Sequence, residues 1–134
     1  MTTNPDTAAL RARLEASRAE LLDAIARLTE QDFASDLGNG ESVVETLAAL
    51  AAEERATAAE VGGEAAVLPG RESTASLAPQ AVHDLAGARF ETLRVLATIE
   101  GSEQRNDVAL AAIAATAGRE EAAAGRIRER FATE

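Results

Sequence analysis

The chain has no cysteine, tryptophan, tyrosine or lysine, and one histidine among its 134 residues. Without cysteine there is no disulfide, no thiolate metal site and no cysteine nucleophile, a composition compatible with a reducing cytoplasm. Three phenylalanines are the only aromatic residues, so the platforms on which nucleic-acid bases stack are missing. A formal net charge of −10 further opposes nucleic acid and anionic membranes, because both are met through a basic face. No apolar run approaches the roughly eighteen residues that span a bilayer. The opening residues MTTNPDTAAL lack the basic and apolar regions of a signal peptide. These exclusions predict a soluble, cytoplasmic protein that binds neither nucleic acid nor membrane.

What remains is dominated by alanine, and all thirteen basic residues are arginine, which reads as the mark of a GC-rich genome. A chain of this length suits one domain, burying roughly two-thirds of the surface its unfolded form exposes. Alanine is the best helix former and is depleted in strands. Its abundance predicts an all-α fold whose helices approach closely.

Hydrophobic spacing places four helices, at about 5–29, 42–61, 79–100 and 107–132. In the first, Leu10, Leu14, Ser17, Leu21, Ile25 and Leu28 recur at steps of four or three, with Leu22 widening the stripe. Arg11, Arg13, Glu15, Arg18, Glu20, Asp23 and Arg27 lie off that line and read as a solvated face. Residues 30–33 lead into Leu37 to Gly40, a turn signal. Ser42 to Glu45 is a capping box that opens the second helix. Its inward line is Leu47, Leu50, Ala51, Glu54, Ala58 and Val61, and Gly62 and Gly63 end it.

The third helix turns Val82, Leu85, Ala86, Arg89, Leu93, Leu96 and Ile99 inward. The fourth has the cleanest repeat: Leu110, Ile113, Ala117, Glu120, Ala124, Ile127 and Phe131. Four amphipathic helices of about twenty residues predict a four-helix bundle. Residues 62–78 form a long connection that could reach roughly 55 Å when extended, against roughly 30 Å for a twenty-residue helix. The second and third helices can therefore run parallel, joined by a crossover.

No P-loop, dinucleotide fingerprint, nucleophile elbow or HExxH motif is present. His83 stands beside the buried stripe of the third helix and reads as a partly exposed residue with no special role. The run RIRER, Arg126 to Arg130, reads as a solvated face with the positive bias that suits a helix C-terminus.

Three stretches carry a family resemblance. Residues 14–30 have an SRxELL core, residues 42–55 read SVVETLAALAAEER, and residues 90–100 read FETLRVLATIE. In this order they resemble the DinB-like superfamily, four-helix bundles that include thiol-dependent transferases and isomerases, whose second helix is usually written W-S-V-x-x-x-L-A-H-L-x-x-x-E-R. The resemblance covers nearly the whole chain and implies an up-down-down-up bundle with a long crossover between its second and third helices. It also implies a nickel or zinc ion held by one histidine on the second helix and a HxxxH or ExxxH pair on the fourth. Those positions fall here on Ala49 and on Arg119 and Ala123, or Glu120 and Ala124; the tryptophan falls on Glu41. No register supplies a histidine, and one inward carboxylate rarely holds a transition metal alone.

The residues left to carry a site are Glu54, Glu120 and Arg89, all on inward lines. They read first as a buried or half-buried polar network, since the planar fork of arginine matches a carboxylate. The leading expectation is a metal-free, non-catalytic member of the superfamily that needs no cofactor and binds a small ligand or a protein. One alternative is a thiol-dependent enzyme in which Glu54, Glu120 and Arg89 replace the metal, the carboxylates acting as acid or base. Another is a homo-oligomeric module, a homodimer for instance, built on the small residues Gly87, Ala122, Ala123 and Gly125.

Overall fold

The computed structural model describes residues 5–38, 40–62, 78–101 and 107–132. They form five helices: α1 Pro5–Ile25, α2 Glu30–Phe33, α3 Val43–Gly62, α4 Ala78–Glu100 and α5 Asp107–Arg130. Apart from an isolated antiparallel bridge between Asp36 and Ser42, the described residues contain no β-structure. None of the helices is long and apolar enough to cross a membrane. The long connection expected over residues 62–78 lies, between its two ends, outside the described residues.

Helix α1 stops at Ile25, short of the expected residue 29. Residues 30–33, expected only to lead into a turn, form the separate one-turn α2. The cause is local. The Thr29 hydroxyl accepts the Asp32 N–H at 3.1 Å and the Asp32 carboxylate accepts the Thr29 N–H at 3.0 Å, a capping box that opens a new helix. The turn that follows needs glycine, because Gly38 and Gly40 have φ of 102° and 85°, values that carry no steric penalty only without a Cβ. Their amides donate to the Asp36 carboxylate, and the Leu37 amide donates to the Glu41 carbonyl at 2.9 Å. The Ser42 box is formed as the sequence predicts: the Glu45 N–H reaches the Ser42 hydroxyl at 3.1 Å and the Ser42 N–H reaches the Glu45 carboxylate at 2.8 Å.

Helix α3 packs chiefly on α4 and α1 on α5, with α3 also meeting α5. The apolar interior is two clusters rather than one. The larger gathers Leu21 and Ile25 of α1, Val43, Leu47, Leu50 and Ala51 of α3, Ala81, Leu85 and Ala88 of α4, and Ala123, Ala124 and Ile127 of α5. The smaller holds Leu10 and Leu14 of α1, Ala58 of α3, Val95 and Leu96 of α4, and Ile113 and Ala117 of α5. Alanines at 0–2% exposure in α3, α4 and α5 fill the space that rings fill elsewhere, and close packing makes even these small groups count.

Two residues depart from the expected stripes. Leu22 is 41% exposed because α1 buries only the 3–4 line on either side of it. Ala86 lies on the outer face of α4, where Ala81, Leu85 and Ala88 hold the inner one.

Candidate functional site

The gap between the two apolar clusters is spanned by a step of seven residues on every long helix. Leu14, Ser17 and Leu21 follow one another on α1; Ala51, Glu54 and Ala58 on α3; Ala88, Thr92 and Val95 on α4; Ala117, Glu120 and Ala124 on α5. The outer members of each trio are buried apolar residues and the middle one is a buried polar residue. Bundle geometry stacks such positions in layers, so a polar layer crosses the bundle between two apolar ones.

Two carboxylates and two guanidiniums close a ring within that layer. Arg89 donates through Nε to Glu54 at 2.8 Å and through Nη2 to Glu120 at 2.6 Å. Arg18 does the same from the other side, through Nη2 to Glu54 at 3.2 Å and through Nε to Glu120. Hydroxyls complete the set: Thr92 reaches Glu54 at 2.7 Å and Ser17 reaches Glu120 at 2.6 Å. The remaining guanidinium nitrogens find backbone, Arg89 Nη1 at the Leu14 carbonyl, 2.9 Å, and Arg18 Nη1 at the Leu85 carbonyl, 3.2 Å. Both carboxylates are 1% exposed.

The electrostatics follow from that arrangement. Two negative and two positive groups sum to zero, and every carboxylate oxygen accepts at least one charge-assisted bond. Among the described residues no buried side-chain nitrogen or oxygen lacks a partner. Burial by itself would lower the pKa of Arg89, but Glu54 and Glu120 outweigh it and hold the guanidinium above its ordinary value. Removing either charge would leave its partners buried and uncompensated, which is the costly case.

Glu54, Glu120 and Arg89 are thus brought together, as a paired network. Arg18, read from sequence as part of a solvated face, belongs to the same ring and is the main correction. Its Cα sits one residue past the stripe, and its long side chain reaches inward so that only 13% of it remains exposed. Thr92 also belongs to the layer, and its only signal in the sequence is a hydroxyl residue between Ala88 and Val95. A third buried carboxylate, Glu91 at 2% exposure, stays outside the ring and is met by Arg94 at 3.4 Å. His83 is exposed on α4.

The residues at the metal positions implied by the DinB-like resemblance do not fit a metal. Ala49 is half-buried between the buried Ala48 and Leu50 and offers no lone pair. The Glu120 carboxylate is taken by Arg18, Arg89 and Ser17, and two adjacent guanidiniums repel a cation. Ala124 is apolar core. Among the described residues no group of three or more His, Asp or Glu side chains is placed to hold a metal ion. Glu41, at the tryptophan position, accepts the Thr46 hydroxyl at 2.8 Å.

A second feature lies at the end of the bundle where α1 and α5 finish. A cleft of about 790 Å³ opens there, bordered by Arg27, Arg128 and Arg130 and floored by Ala24, Leu28, Ile127 and Phe131. Sequence spacing did not reveal it, because it depends on two helix ends more than 100 residues apart lying side by side.

No protein-family model, no curated protein and no solved structure matches the chain.

Proposed function

We propose that the chain is a non-catalytic helical bundle of DinB-like order that acts by binding a small ligand or a protein partner at its surface. The observation that carries this reading is the closed ring of Glu54, Arg89, Glu120 and Arg18 in the middle of the bundle. Catalysis by an inward carboxylate needs an oxygen free to meet substrate or a proton, and here all four oxygens are engaged by the protein itself. A di-metal bundle would also need Glu-x-x-His pairs, which the sequence lacks.

The membership of the two apolar clusters supports the up-down-down-up order. The late part of α1, the early parts of α3 and α4, and the late part of α5 share one end; the opposite parts share the other. With that order α3 and α4 run parallel. The polar layer then has a structural duty. A buried charged residue tolerates only a register that brings its partners opposite it, so the ring fixes how the four helices stack. Absence of cysteine agrees with a cytoplasmic setting.

Elemental analysis of untagged protein, before and after dialysis against nickel and zinc, tests the reading. Substoichiometric metal in both samples is expected. One metal retained per chain would overturn it and make thiol-transfer assays the next step.

A further inference from the structure

We infer that the cleft between the ends of α1 and α5 binds a small amphipathic carboxylate, its charge between Arg27 and Arg130 and its apolar body on Leu28 and Phe131. The inference rests on the reading of the chain as a binding protein and assigns that binding a place and a ligand class.

The chain carries −10 overall, yet the cleft is bordered by three arginines and two aspartates, Asp23 and Asp32. Both acids are already committed. Asp23 takes Arg128 at 3.1 Å, and Asp32 closes the capping box with the Thr29 amide. Arg27 has no hydrogen bond or ion pair among the described residues. Arg130 spends only Nε, on the Asp36 carbonyl at 3.1 Å, leaving both terminal nitrogens of its fork available. Two guanidiniums without carboxylates, lining one cleft of a strongly acidic protein, favour an anion at this spot. Their planar donor pairs suit a carboxylate, which accepts two parallel bonds.

Ala24, Leu28 and Phe131 are half-buried and pack against the larger apolar cluster, so one side of the cleft is dry while its rim is charged. The Arg130 guanidinium lies over the Phe131 ring, 5.1 Å from its centre, a cation–π contact that holds this cation above an apolar surface. A volume of about 790 Å³ falls within the about 300–1,000 Å³ usual for small-molecule sites. An inorganic anion would leave the floor wet, and a neutral hydrocarbon would leave the guanidiniums unused; a carboxylate on an apolar chain satisfies both.

The test is an NMR titration of the full chain, following Leu28 methyl and Phe131 ring signals with octanoate, octan-1-ol and inorganic phosphate as probes. Octanoate should shift both sets of signals saturably, while octanol and phosphate should bind at least about tenfold more weakly. Arg27→Ala and Arg130→Ala should each weaken octanoate by about threefold or more, and Arg126→Ala, an equal change of charge on the exposed part of α5, should not. Equal binding of octanol or of phosphate would overturn the inference, as would the absence of a saturable shift or an Arg126→Ala effect as large as the others. Failure here is separable from failure of the functional reading: metal retention overturns that reading whatever octanoate does, whereas a metal-free protein that ignores octanoate overturns only this site.

Discussion

The Nε of Arg89 lies 2.8 Å from the carboxylate of Glu54, both inside the bundle and each 35 residues from the other in the chain. Because Arg89 also bridges to Glu120, one substitution unbalances the whole layer. Arg89→Met leaves two buried carboxylates facing Arg18 alone and should cost about 3–5 kcal/mol in urea unfolding. Replacing all four charges together by Leu and Met should leave stability equal to or above that of the parent, since burial of matched apolar groups avoids the desolvation penalty. A loss under about 1 kcal/mol for Arg89→Met would mean that the ring is solvated.

The capping box at Ser42 makes a smaller, local prediction. Ser42→Ala removes the acceptor for the Glu45 amide and should lower stability by about 1 kcal/mol, most of it recovered by Ser42→Asp. Thermal unfolding followed by circular dichroism is sufficient to check both.

Glycines on the outer faces separate packing from assembly. A Cβ at Gly125 would meet nothing within 4 Å, and one at Gly87 would press only on the far end of the Arg55 side chain, which can move aside. Gly125→Ala should therefore stabilise the protein by about 0.5–1 kcal/mol through helix propensity, and Gly87→Ala by somewhat less. If instead these residues form a close contact between two copies, both substitutions should reduce the mass seen by light scattering.

The Arg11–Glu100 pair, bidentate at 2.6 and 2.7 Å, gives a pH dependence with a defined sign. Its hydrogen bonds to Arg11 hold the Glu100 carboxyl below the usual carboxylate range, against the effect of partial burial. A folded-state pKa below the unfolded one contributes stability at neutral pH that disappears as pH falls through the depressed value. Glu100→Gln should thus lower stability by about 0.2–1 kcal/mol at pH 7, the range of a half-exposed pair. The difference from the parent should vanish in strong acid.

The four long helices, Glu54, Glu120 and Arg89 are legible in the sequence because each of those charges sits on a 3–4 repeat of apolar residues, where a solvated side chain would break the stripe. Arg18 was hidden by the same rule. It stands just off the stripe, and only the length and reach of its side chain bring it in. The break after Ile25 was written in Thr29 to Asp32, a capping box using Asp in place of the more usual Glu or Gln, and the continuing spacing to Leu28 masked it. The cleft had no sequence signature, since Leu28, Arg27, Arg130 and Phe131 become neighbours only after α1 and α5 pack.

Whether the mid-bundle carboxylates serve arginine and not a metal can be read from the arginine Nε–Hε signals in a nitrogen–proton spectrum recorded with and without nickel. Arg18 and Arg89 should give displaced signals protected from exchange with water, moved by Glu54→Gln and Glu120→Gln and untouched by one equivalent of nickel. Signals that exchange as fast as that of the unpaired Arg27, or that are broadened away by nickel, would contradict their pairing with the carboxylates.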